Sequence, residues 1–421
     1  MPTKTSGGLS PVKRGLDRMW AALEGRRMLD MTVLMIAGST AVLTVLGLVM
    51  VLSSSSVEAI GSGGSYSLFL RQALWACVGM VMLTAATFTP VPWIRRMAWP
   101  ALAVSVVLLG LVAFTPLGVN VGGNTNWLRI GSFTAQPSEL AKLSLALWGG
   151  AVIARKGRLV NQVKHALVPV VFPGGVLVLG LIMWGRDLGT AIIVALVLAA
   201  VLWVGGAHRI VFMVTAGMVA LLTIGLTLFA SHRMLRVQAW LGVEAACDDP
   251  SDPCFQPAHG LYALASGGWW GVGLGQSRQK WSYIPEAEND FIFTILGEEL
   301  GLLGTLLVIG LFAILALGMY RVAAQTRSTF IRVATWGIIT WFVGQTFLNA
   351  GMVSGLLPVV GVPLPFISYG GSALTLAMTA VGVVLSFARH ERRLAHLAAQ
   401  QAHAASFRPI DPTPAPQTQE A

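Results

Sequence analysis

Three carboxylates crowd into Glu286-Ala-Glu288-Asn-Asp290 directly ahead of the apolar run Phe291-Ile-Phe-Thr-Ile-Leu, and Glu298 and Glu299 follow at its far end. An ionised side chain near the centre of a bilayer costs about 2.5–3.5 kcal/mol on insertion scales, so Asp290, Glu298 and Glu299 are expected to face protein or water. Asp290 has two readings. Just before an apolar helix it suits an N-cap. With Glu286, Glu288, Arg278 and Lys280 within about a dozen residues of it, it suits a general base acting on a hydroxyl.

Gln136-Pro-Ser-Glu139-Leu-Ala-Lys142 is a second constellation. Pro137 fits a first helical turn, and the i, i+3 spacing puts Glu139 and Lys142 on one helix face. Either they lock packing as an ion pair, or they line a polar cavity that holds a charged headgroup or a metal. Asp187, in Arg186-Asp-Leu-Gly-Thr190, can cap the helix that follows and can also line a site at the membrane face. Cys247 and Cys254 enclose Asp-Asp-Pro-Ser-Asp-Pro, a turn-forming spacer that lets them close a small disulfide ring in an oxidising compartment. A metal site is the alternative, without a partner Cys-x-x-Cys or a His pair to complete it. Cys77 reads as a packing residue. Gly271-Val-Gly-Leu-Gly275 has no strand before it and is not a nucleotide loop; Ser266 to Trp270 beside it reads as an amphipathic segment at the membrane interface.

The elements that must position these residues are membrane spans. Of 421 residues 55% are hydrophobic and only 11% charged, and the mean hydropathy is +0.71, which excludes a soluble fold. Apolar runs long enough to cross a bilayer fall at about 31–53, 72–90, 98–115, 137–154, 166–184, 188–205, 210–230, 291–317, 333–352 and 371–388. The net charge of +10 is spread through the loops between them, which excludes a nucleic-acid face. Of the 28 Lys and Arg residues, 20 fall on the side of the termini and 7 on the other, so both termini are expected in the cytoplasm. The expected fold is an all-α polytopic membrane protein of ten transmembrane helices. Residues 1–30 form a cytoplasmic tail, 31–390 the membrane domain, and 391–421 a disordered cytoplasmic tail. A large extracytoplasmic loop, about 231–290, joins the seventh and eighth helices and is long enough to carry function. Pro358 to Ser372 holds three prolines and cannot be a regular helix; it is expected to re-enter or cap the bundle, where irregular backbone is buried or lines a cavity.

Taken together, Trp127-Leu-Arg129, Gln136-Pro-Ser-Glu-Leu-Ala-Lys142, Asp187-Leu-Gly-Thr190, Ser277-Arg-Gln-Lys-Trp281, Ile284-Pro-Glu to Asp290-Phe-Ile-Phe, Glu298-Glu-Leu-Gly301 and Gly361-Val-Pro-Leu-Pro-Phe-Ile-Ser-Tyr-Gly-Gly-Ser372 resemble the SEDS family (shape, elongation, division, sporulation). Ser277 to Trp281 is nearer its division branch than its elongation branch. The resemblance implies a peptidoglycan glycosyltransferase that polymerises lipid II at the outer face of the cytoplasmic membrane, at the division septum. It would work with a class B penicillin-binding protein transpeptidase and other division proteins. Asp290 matches the family's essential aspartate, Glu139 and Lys142 its cavity pair, and Ser368 its outer loop. Arg129, Lys142, Arg278 and Lys280 are then candidates for the diphosphate of lipid II or of the polyprenyl-diphosphate-linked glycan. A divalent cation, Mg or Mn, is implied by the family alone. Departures are Glu288-Asn289 where His-Thr is common, Gly185-Arg186 where Gln-Pro is common, and the Cys247 to Cys254 insert. Alternatives are a lipid II flippase with Glu139 and Lys142 on its path, and a non-catalytic scaffold for the transpeptidase.

Overall fold

Six helices are long and apolar enough to cross a bilayer among the described residues: Asp30–Ser54, Ser67–Phe88, Val91–Phe114, Val163–Trp184, Ile292–Gln325 and Gly371–Gln401. The computed structural model describes residues 11–55, 66–121, 124–131, 133–228, 238, 240–242, 252, 254–280, 284 and 287–406. The chain is a multi-pass membrane protein. In order its helices are α1 (Pro11–Ser55), α2 (Ser67–Phe88), α3 (Val91–Phe114), α4 (Pro137–Lys156), α5 (Val163–Trp184), α6 (Leu188–Val204), α7 (Arg209–Leu228), α8 (Phe255–Gly267), α9 (Ile292–Gln325), α10 (Thr329–Val353) and α11 (Gly371–Ser406).

Helix α4 lies at the centre, packed on α3, α6 and α10, with every residue from Pro137 to Ile153 except Leu140 buried. A helix wrapped in protein has no lipid to satisfy, which is why α4 can carry Glu139 and Lys142. Helix α11 packs along α1 and α2. Asp30 of α1 and Arg392 of α11 form an exposed ion pair at 2.9 Å, and Arg389 donates to Thr87 O at 3.0 Å, so α1, α2 and α11 share one end of the bundle. The loops described next gather at the opposite end.

The structure adds to the sequence expectations in three places. The fold is mostly helical, with one small sheet: β1 (Gly118–Val121), β2 (Asn124–Ile130) and β3 (Phe133–Ala135) form an antiparallel meander between α3 and α4, with Val121 opposite Asn124 and Ile130 opposite Phe133. Gly and Asn between short β-favouring runs are hairpin signals, masked in the sequence by the apolar spans on either side. Helix α1 starts at Pro11 and α11 runs to Ser406, each continuing as a helix into polar sequence beyond its apolar span. Cys77 is exposed on the outer face of α2 instead of packed.

Helix α9 is broken. Gly301 sits at φ 69° and ψ −168°, and the segment after α8 inserts at the break. Leu302 and Leu303 N–H donate to Gly268 O and Trp269 O, while Val272 and Gly273 N–H donate to the carbonyls of Glu298 and Glu299. The backbone groups freed by the break are thus satisfied from outside the helix, as an apolar surrounding requires. A Cβ at Gly301 would come 2.4 Å from Gly271 N, so only glycine allows this approach.

Candidate functional site

The residues 354–370 between α10 and α11 are irregular, exposed at 354–356 and buried in their second half, with Val362, Leu364, Phe366, Ile367 and Ser368 inside the bundle. This loop meets both sequence constellations. Along one face of α10, Trp341, Gln345 and Asn349 recur every four residues, all buried. Gln345 Nε2 donates to Pro363 O at 2.7 Å, and Asn349 Nδ2 donates to Val362 O at 2.7 Å. Two carboxamides one turn apart therefore grip two consecutive loop carbonyls.

Gln345 also reaches the charged pair. Lys142 Nζ donates to Glu139 Oε1 at 2.7 Å and to Gln345 Oε1 at 2.9 Å, and lies 5.1 Å from the centre of the Trp341 ring. Trp341 Nε1 donates to Gln345 Oε1 at 2.7 Å. The Glu139 and Lys142 side chains are each 2% exposed. Glu139 borders a cavity, roomy enough for roughly one water, closed by Trp341, Gln345, Pro363, Phe366 and Ser368.

At the entrance to α9 three successive carbonyls are each held. Tyr369 N donates to Glu288 O at 2.8 Å, Ser368 Oγ to Asn289 O at 2.6 Å, and Asn349 Nδ2 to Asp290 O at 2.8 Å. Ser368 Oγ also accepts from Leu364 N at 2.7 Å, so that hydroxyl is committed to holding the loop onto the strand of chain before α9. The capping reading of Asp290 is corrected, since Phe291 is the N-cap and makes no side-chain cap. Asp290 is half-buried, and its Oδ2 faces Gly361, where a Cβ would stand 3.2 Å away.

Asp187 does cap α6, accepting from Thr190 N at 3.0 Å. Its other oxygen accepts from Asn126 Nδ2 at 2.9 Å and Gln136 Nε2 at 3.3 Å, and Gln136 N donates to Ser372 Oγ at 3.1 Å. One buried carboxylate thus ties the meander, the start of α4 and the start of α6 beside the start of α11. Lys280 is buried and donates to Gly275 O at 2.8 Å, Ser53 O at 3.1 Å and Glu299 Oε1 at 3.4 Å. Glu298 accepts from Ser277 Oγ at 2.5 Å and Arg278 N at 3.0 Å. Arg278 and Arg129 are exposed. Cys254 is disulfide-bonded, while Cys247 and Glu286 lie outside the described residues. Among the described residues no three His, Cys, Asp or Glu side chains come together to hold a metal ion.

A family model described as a cell cycle protein, FtsW/RodA/SpoVE, matches residues 33–393. The chain belongs to that family. A relative in Mycobacterium tuberculosis, "Probable peptidoglycan glycosyltransferase FtsW", is 38% identical over 358 residues, covering 85% of this chain and 68% of the relative. Stage V sporulation protein E of Bacillus subtilis is 35% identical over 362 residues, 84% of this chain and 96% of its own. Among solved structures, a chain of a peptidoglycan synthase complex that coordinates polymerization and crosslinking superposes with a TM-score of 0.68 at 24% identity, over 85% of this chain and 97% of that one. The rod shape determining protein RodA of Thermus thermophilus gives 0.62 at 23% over the same shares.

In this FtsW/RodA/SpoVE protein the four candidates for the diphosphate, Arg129, Lys142, Arg278 and Lys280, sit in two different settings. Lys142 and Lys280 are each turned inward onto an acid, which leaves only the two exposed arginines facing outward. Sequence reasoning also missed Gln345 and Asn349. The available signal was two carboxamides at i, i+4 in an otherwise apolar helix, where an unpaired polar group would be costly.

Proposed function

We propose that the chain is a peptidoglycan glycosyltransferase that polymerises lipid II into glycan strands at the outer face of the cytoplasmic membrane, in septal wall synthesis. The reading is supported by the names of relatives up to 38% identical over most of the chain. The single observation that carries the mechanism is the anchoring of the backbone at residues 288–290, which presents the half-buried Asp290 carboxylate at the rim of the 354–370 loop. Asp290 takes the proton of the acceptor sugar's 4-hydroxyl as its oxygen attacks the donor's anomeric carbon. The bond from that carbon to the diphosphate oxygen breaks, and polyprenyl diphosphate leaves with the electron pair. A single displacement inverts the anomeric centre. The exposed Arg129 and Arg278 are the cations for the leaving diphosphate. The lipid tails stay in the bilayer throughout.

Helices α4, α6, α7 and α10 complete ten spans alongside the six apolar ones. Two of them, α4 and α10, lie largely inside the bundle and need no lipid-facing surface. Both termini are cytoplasmic, in keeping with the basic residues of that side and the Asp30–Arg392 pair. The partner is a class B penicillin-binding protein transpeptidase, within an assembly of other division proteins at the septum. The test is lipid II polymerisation by purified Asp290→Asn with its transpeptidase partner. Loss of at least about 100-fold is expected for removal of a general base; polymerisation at the wild-type rate would exclude Asp290 from that role.

A further inference from the structure

Asn349 is fully buried in the middle of the bundle, and its Nδ2 spends both protons on carbonyls from two separate segments, Asp290 O at 2.8 Å and Val362 O at 2.7 Å. Two acceptors on one nitrogen also fix which end of the carboxamide points at them. We propose that Asn349 is the positioning residue for Asp290, setting the distance between the aspartate and the loop that forms the other wall of its site. The inference rests on Asp290 being the base.

Glu288 O and Asn289 O are bound by the loop itself, through Tyr369 N and Ser368 Oγ, and move with it. Asp290 O is bound from α10, a long helix packed on α4, α6 and α9. Asn349 therefore ties the aspartate's backbone to the rigid frame. Gln345 repeats the grip one turn earlier on Pro363 O and is itself held by Lys142 and Trp341, so α10 fixes two adjacent loop residues at once. Without Asn349, a buried and a part-buried carbonyl each lose a donor, and the start of α9 can shift relative to Gly361, which the Asp290 carboxylate faces. A misplacement of about 1 Å in a reacting group costs on the order of 100-fold in rate.

The experiment measures initial rates of lipid II polymerisation, against lipid II concentration, by the purified chain with its transpeptidase partner. Asn349→Leu removes both donors at similar volume, and Asn349→Asp keeps the shape while leaving at most one O–H donor for the two carbonyls. Thr346→Val is the control, a buried residue of the same helix. Thermal unfolding of each is recorded beside it. The expected result is a kcat lowered between about 10- and 100-fold in both Asn349 variants, with KM within about twofold and Thr346→Val at wild type. Wild-type kcat in a folded Asn349 variant overturns the proposal, as does a loss carried by KM, an equal loss in Thr346→Val, or failure of both Asn349 variants to fold. Asp290→Asn run in parallel separates the two readings. If it remains active, the base assignment fails whatever Asn349 does; if it is inactive while the Asn349 variants match wild type, only the positioning role fails.

Discussion

Replacing Lys142 with Met leaves the Glu139 carboxylate 2% exposed and without a counter-charge, and removes one of the two donors to Gln345 Oε1. Breaking a buried ion pair from one side costs about 3–5 kcal/mol, because a charge remains that neither water nor a partner stabilises. That is a large share of a typical stability of about 5–15 kcal/mol. Replacing both residues, Glu139→Leu with Lys142→Met, removes the stranded charge and should cost less than Lys142→Met alone. Gln345 Oε1 still accepts from Trp341 in that double variant. A double-mutant cycle by reversible unfolding in detergent is therefore expected to show a coupling of at least about 1.5 kcal/mol. If Lys142→Met lies within about 0.5 kcal/mol of wild type, or the two changes simply add, the pair is not the internal strut that its geometry implies.

Two further outcomes follow from single contacts. Gly301→Ala places a Cβ against Gly271 N at a positive φ, and should lower the thermal midpoint and loosen the segment around residues 268–273, read as faster hydrogen exchange at Leu302, Leu303, Val272 and Gly273. Asp187→Ala removes the α6 cap, worth about 1 kcal/mol, and also strands Asn126 Nδ2 and Gln136 Nε2, so the measured loss of unfolding free energy should exceed that of a cap alone.

The membrane class and the approximate positions of the apolar helices were legible because lipid demands a signal that survives in a linear chain: about 20 apolar residues in a row. The irregular nature of the chain from Pro358 was legible for a similar reason, since proline removes a donor wherever the chain goes, though helix α11 resumes at Gly371, before Ser372. Asp187 as a cap was readable from its spacing to Thr190. The fates of Lys142 and Lys280 were not readable. A lysine in sequence carries only its charge, and whether that charge faces substrate or Glu139 and Glu299 depends on which helices surround it. The break at Gly301 was equally hidden, because a glycine in an apolar run is compatible with an intact helix until another segment supplies the missing hydrogen bonds.

Sequence by itself determined that acids would stand at the start of α9 and α4 and that they could not face lipid, because the cost of burying a charge in hydrocarbon is a property of the residue. Tertiary structure alone decided that Glu139 and Glu299 pair with lysines and that the backbone at residues 288–290 is held from α10 and the 354–370 loop. Hydrogen bonds are short and directional, so the ties from Asn349, Ser368 and Tyr369 to the carbonyls at residues 288–290 exist only once α10 and the 354–370 loop have packed beside them.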